Sequence, residues 1–129
     1  MKPRSGFTLL ELLTVLVIIG LLATIATNRF WAVKERAYKV SMRNDLRTMA
    51  TQQERYFESN YTYAAAPAQL TEFFSSAGVI ITVTWTSNQG WAAISQHSSL
   101  PGEQCGYFTG PAPAGIAPPA TISGIIECN

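Results

Sequence analysis

A carboxylate, two cysteines and a histidine are the groups on which chemistry could turn in this chain. Glu11 is the fifth residue of an apolar run from Phe7 to Ala26. A carboxylate placed in hydrocarbon costs roughly 2.5–3.5 kcal/mol on insertion scales, so such a residue is functional by default or snorkels to a nearby membrane edge. The run contains no base to neutralise it. Its positive partner is therefore expected from another chain, or from a new amino terminus made close by. Cleavage after Gly6 would place that amine on Phe7. Cys105 and Cys128 belong to no C-x-x-C pair, and His97 is the one histidine. That set falls short of a zinc ligand shell. The cysteines are expected to pair with each other if this part of the chain is exported to an oxidising compartment. The bond would close a loop of about 24 residues, worth on the order of 3 kcal/mol in a chain-entropy model. His97 falls at a strand end, and no cysteine or serine can be assigned to it from the sequence as a nucleophile partner, which predicts a solvent-facing side chain. No paired-carboxylate site, phosphate loop or metal cluster is legible, so neither catalysis nor a cofactor is expected.

The element that must position Glu11 is the run itself. About 20 residues at 1.5 Å rise span roughly 30 Å, the thickness of a bilayer core. Lys2 and Arg4 precede the run, and Arg29 and Lys34 follow it. The leading bases place the N-terminus inside and the following domain outside, because large downstream domains cross largely regardless of their charge. A cleaved secretory signal is the rival reading. The run exceeds the usual 7–15 residues, holds a glutamate and offers only a mediocre Thr24-Ile25-Ala26 site, all of which speak against it.

The residues Gly6-Phe7-Thr8-Leu9-Leu10-Glu11-Leu12-Leu13 resemble the prepilin peptidase motif of type IV pilins and pseudopilins. The resemblance implies cleavage between Gly6 and Phe7 and N-methylation of Phe7. It also implies that Glu11 pairs with the terminal amine of a neighbouring subunit during assembly. In that family a glycine and a proline bracket a helical segment that unwinds in filaments. Here the corresponding residues are Gly20 and Asn28, and asparagine is a poor helix former that does not break a helix.

Helical periodicity continues past the apolar run. Phe30, Val33, Ala37 and Val40 form one stripe, and Met42, Leu46, Met49, Gln53 and Tyr56 form a second, shifted around the helix. With no proline between Phe7 and Ala66, a single helix over 8–58 is expected, roughly 75 Å long. Between Arg29 and Glu58 there are seven bases and four acids, whereas 59–129 holds three acids and no Lys or Arg. The basic face Lys34, Arg36, Lys39, Arg43 and Arg47 could meet nucleic acid. The bases alternate with Glu35 and Asp45 and no aromatic stacking platform is interleaved, which favours a juxtamembrane or subunit-contact face.

The remainder reads as a small sheet. Ala64 to Pro67 is expected as a loop and Leu70 to Phe74 as one helical turn. Strands are predicted over 79–86 with Ile81, Val83 and Trp85 on one face, over 91–96 and over 105–109, with an edge strand within 122–128. Asn60-Tyr61-Thr62 matches a glycosylation sequon, a pattern common by chance. The fold class is α+β: one long N-terminal helix, its first half transmembrane, against an antiparallel sheet of three or four strands. The expected organisation is a leader at 1–6, a membrane or filament-core segment at 7–28, an amphipathic segment at 29–58 and a globular head at 59–129. The expected role is a type IV pilus subunit for adhesion, motility or DNA uptake. Its partners would be identical subunits, the inner membrane, the peptidase and the assembly machinery, and its destination an extracellular filament. A type II secretion pseudopilin and a minor tip pilin with adhesive or DNA-binding function are the alternatives.

Overall fold

The computed structural model describes residues 6–129. Of the expected leader, all but Gly6 therefore lies outside the described residues. The chain divides into two compact units, one ending at Lys34 and one from Glu35 to Asn129. Among the described residues a single helix, α1 (Leu9–Asn60), supplies the first unit's secondary structure and continues into the second. A 3-10 turn, Pro67–Gln69, follows, and then four strands: β1 (Val79–Thr86), β2 (Trp91–His97), β3 (Gln104–Thr109) and β4 (Glu127–Cys128). They form one antiparallel sheet in sequence order. The α+β class is as expected, with the larger of the two anticipated strand counts.

In the first unit every large apolar side chain from Leu9 to Ile25 is exposed. The stretch is long and apolar enough to cross a membrane. In the second unit the stripe Met42, Leu46 and Met49 is fully buried. It packs with Val79, Ile81, Trp91, Ala93 and Cys105 on one face of the sheet, and Ala64, Leu70 and Phe73 close the same core. The other predicted stripe stays open, with Phe30, Val33 and Val40 all exposed.

Four local expectations are corrected. The helical turn lies at Pro67–Gln69, not after Leu70. Proline pre-sets φ for the first position, and the Gln69 side chain accepts the Ala65 and Ala66 amides at 2.7 and 3.0 Å. Trp85 does not share a face with Ile81 and Val83. A bulge between Val83 and Trp85 sets Val83 opposite Ala93 but Trp85 opposite Ala92, and one extra residue flips the alternation. The edge strand shrinks to Glu127–Cys128. Before it, Gly124 takes a positive φ of 79° and donates its amide to Phe108 at 2.8 Å. Finally, His97 is buried, not solvent-facing. Its ring stacks on Tyr38 at 4.0 Å, and its Nδ1 accepts the Ser99 amide at 3.0 Å.

The proline-rich loop covers the β3 side of the second face of the sheet, while Ile80, Thr82 and Gln96 on that face stay exposed. A Cβ at Gly106 would collide with the carbonyls of Ala117 and Pro118, so glycine here permits backbone to lie directly on sheet. The chain is fastened by polar contacts as well. Buried Gln53 accepts the Ala64 amide at 2.7 Å and donates to its carbonyl at 2.9 Å. Asp45 accepts the Ser76 amide at 2.6 Å and hydroxyl at 2.8 Å. Cys105 and Cys128 are disulfide-bonded, as anticipated.

Two stability outcomes follow for the full chain in detergent, read by urea unfolding through tryptophan fluorescence. Asp45→Ala removes both acceptors of the Ser76 amide and hydroxyl and is expected to cost about 1.5 kcal/mol, the low end for bonds to a charged group because water reaches the exposed Ser76. Asp45→Asn, which keeps one acceptor oxygen, should lose less. Replacing Cys105 and Cys128 together with serine should cost on the order of 3 kcal/mol, from the loop the bond closes.

Candidate functional site

The start of α1 is built by two residues three apart. Thr8 sits immediately before the first helical residue. Its Oγ1 accepts the Glu11 amide at 3.2 Å. In return the Glu11 carboxylate accepts the Thr8 amide at 2.9 Å and the Thr8 hydroxyl at 2.9 Å. This reciprocal pair is a capping box, which satisfies amides that the first helical turn leaves without partners. Threonine followed three residues later by glutamate is the sequence signal for it, and the reading from charge alone passed over Thr8. The Glu11 carboxylate therefore has partners within the chain, and among the described residues all of them are neutral. Its negative charge is placed where the helix dipole favours it, and its need for a cation is unmet among these contacts.

Phe7 lies exposed one residue before the cap. A Cβ added at Gly6 would meet nothing within 4 Å. Among the described residues nothing requires glycine at that position. The same holds at Gly20, where an added Cβ also meets nothing within 4 Å. Gly20 and Asn28 both lie inside unbroken helix. Replacing alanine by glycine in a helix interior costs about 1 kcal/mol, and no close approach within the chain accounts for it here.

The threonines of the apolar stretch are internally satisfied. Thr14, Thr24 and Thr27 donate their hydroxyls to the carbonyls of Leu10, Leu21 and Ala23, at 2.8, 2.7 and 2.9 Å. A hydroxyl that bonds back to its own helix does not need water. The stretch therefore presents methyl groups where its composition would suggest polar ones, which suits a non-aqueous surrounding.

The basic row on α1 is partly neutralised within the second unit. Lys39 lies 3.0 Å from Glu35 and 2.9 Å from Glu103, and the hydrogen bond to Glu103 above all holds its ammonium above the ordinary lysine range. Arg55 pairs with Glu72 at 2.9 Å. Arg43 and Arg47 line an open groove with Tyr107, Ile125 and Ile126. Among the described residues no group of three or more His, Cys, Asp or Glu is placed to hold a metal ion.

A family model described as the prokaryotic N-terminal methylation motif matches residues 1–27, the segment that holds Gly6, Phe7, Thr8 and Glu11. Over 64 residues the chain is 36% identical to the type IV major pilin protein PilA of Myxococcus xanthus (strain DK1622). That match takes in 49% of this chain but spans only 29% of the relative's length. The chain is thus similar to prepilins over its methylation motif and to a type IV major pilin over about half its length, and its α+β fold of one long helix and a four-stranded antiparallel sheet is pilin-like.

Proposed function

We propose that this chain is a structural subunit of a type IV pilus. In this reading a prepilin peptidase cleaves it between Gly6 and Phe7 and Phe7 is methylated. Pilus machinery then assembles it from the inner membrane into an extracellular filament of identical subunits. The observation that carries the reading is the apolar stretch of α1, whose large side chains are exposed from Leu9 to Ile25. Such a surface far exceeds the few hundred Å² tolerated on soluble monomers. Lipid covers it before assembly and the same stretch of neighbouring subunits covers it afterwards. The transfer costs little because both surroundings are apolar. Lys2 and Arg4 favour an inside N-terminus. The late cysteine pair, the lack of an acidic C-terminal cluster and the likeness to a major pilin favour a pilus subunit over a secretion pseudopilin. Adhesion, motility and DNA uptake are the uses such a filament would serve.

Glu11 registers the incoming subunit in this scheme. Its charge, met by dipoles alone among the described residues, is completed by the new amine of a neighbouring Phe7. A desolvated pair of this kind is short-ranged, so it selects one axial position.

Two measurements test the reading. A capping box accepts glutamine as well as glutamate, so Glu11→Gln keeps the helix cap and removes the charge, whereas Glu11→Ala removes both. Both variants should insert in membranes yet yield at least about tenfold fewer sheared filaments, because breaking a buried ion pair is worth several kcal/mol. Wild-type filament yield from Glu11→Gln would reduce Glu11 to a helix cap. Mass analysis of sheared protein should show a chain starting at Phe7, one methyl heavier and two hydrogens lighter for the disulfide. A chain still starting at Met1 and confined to membranes would overturn both processing and assembly.

A further inference from the structure

Just beyond the apolar stretch lies a cluster that neither cleavage nor assembly uses. Phe30 and Trp31 meet edge to face with ring centroids 6.0 Å apart. Lys34 places its Nζ 5.1 Å from the Phe30 centroid and 5.4 Å from that of Trp31. The spacing explains the contact: Lys34 is four residues after Phe30 and three after Trp31, so one helix face carries all three. The rings are exposed, Phe30 at 57% and Trp31 at 62%. A large aromatic pair capped by an ammonium and left open is not core packing. An amphipathic ring beside a snorkelling cation matches the polar–apolar boundary of a bilayer, where tryptophan, lysine and arginine collect.

The distance along the helix gives an independent check. Glu11 and Trp31 are twenty residues apart within one continuous helix, or roughly 30 Å at 1.5 Å per residue. The hydrocarbon core of a bilayer is about that thick. If Trp31 lies at one boundary, Glu11 and its cap reach the other, and the carboxylate escapes most of the penalty for lying in hydrocarbon. Between the two, the described side chains are apolar, glycine, asparagine or threonines bonded to their own helix, up to Arg29.

We propose that Phe30, Trp31 and Lys34 form a membrane-interface anchor whose ligand is the phosphate of an anionic phospholipid headgroup. The rings seat at the acyl–headgroup boundary, and Lys34 contacts the phosphate. The anchor sets the depth of the stored subunit and so holds Glu11 level with the opposite face of the bilayer. It rests on the proposed membrane-held precursor.

The test uses the full chain in phosphatidylcholine vesicles, with insertion scored separately by flotation. Lipids brominated at defined depths quench tryptophan, and the Trp31→Phe variant supplies the signal from Trp85 and Trp91 to be subtracted. Trp31 should be quenched most by bromines near the carbonyl end of the acyl chain and least by those near its methyl end. Brominated phosphatidylglycerol should quench it about fivefold more effectively than brominated phosphatidylcholine at equal content, the effect of one cation at an anionic surface. Lys34→Gln should remove most of that preference. Strongest quenching from the methyl end, or none in a chain that floats with the vesicles, would overturn the anchor and leave the membrane reading standing. Equal quenching by the two headgroups would overturn the phosphate contact. A chain that does not float would overturn the anchor and the membrane reading together.

Discussion

From Leu9 to Ile25 the helix α1 shows its large apolar side chains on every side, and this surface must be taken out of water by something. Hydrophobic burial is non-directional and scales with area, so the stretch sets no single partner. It requires only an apolar surrounding, first or last. A subunit that satisfies the requirement with lipid and later with copies of itself needs no refolding between the two states. The helix already closes its own backbone hydrogen bonds, and the threonine hydroxyls are returned to it. An uncovered helix is thus compatible with storage and with the proposed assembly alike.

The polar groups at the two ends of this stretch acquire their meaning from it. Glu11 in water would be an ordinary first-turn carboxylate closing a capping box with Thr8. At the boundary of an apolar layer, the same carboxylate is a charge met by dipoles alone among the described residues, which is a condition for selecting a cationic partner. The two roles are compatible because the cap uses a hydroxyl and amides and supplies no counter-charge. At the far end, Phe30, Trp31 and Lys34 join apolar rings to a cation on one helix face.

The second unit solves a different problem, that of holding a small sheet on half a helix. Its apolar core is modest, so polar fasteners bind parts of the chain distant in sequence. Asp45 holds Ser76, Gln53 holds Ala64, and the disulfide joins β3 to β4. The proline-rich loop covers the other sheet face where Gly106 leaves room.

Local pattern determined much of this protein. A long apolar run with one carboxylate, a 3.6-residue stripe at Met42, Leu46 and Met49, β-branched runs and a lone pair of cysteines each rest on neighbours in sequence or on elimination. The helix, the strands, the fold class and the disulfide were legible for that reason. The Thr8–Glu11 cap carries a signal of the same local kind, partners three residues apart, but charge alone does not reveal it. What only the tertiary structure decided involves partners far along the chain or a single-residue slip. Asp45 sits within a run of bases and reads as a surface charge, yet Ser76, 31 residues on, draws it inside. His97 reads as solvent-facing until Tyr38 is brought against its ring. Trp85 changes face because one residue is bulged out before it, and the alternation of side chains carries no record of an extra residue. Periodicity reports which face of an element is apolar. It does not report which distant group will meet a polar residue on that face, and that is settled only when the sheet closes over the helix.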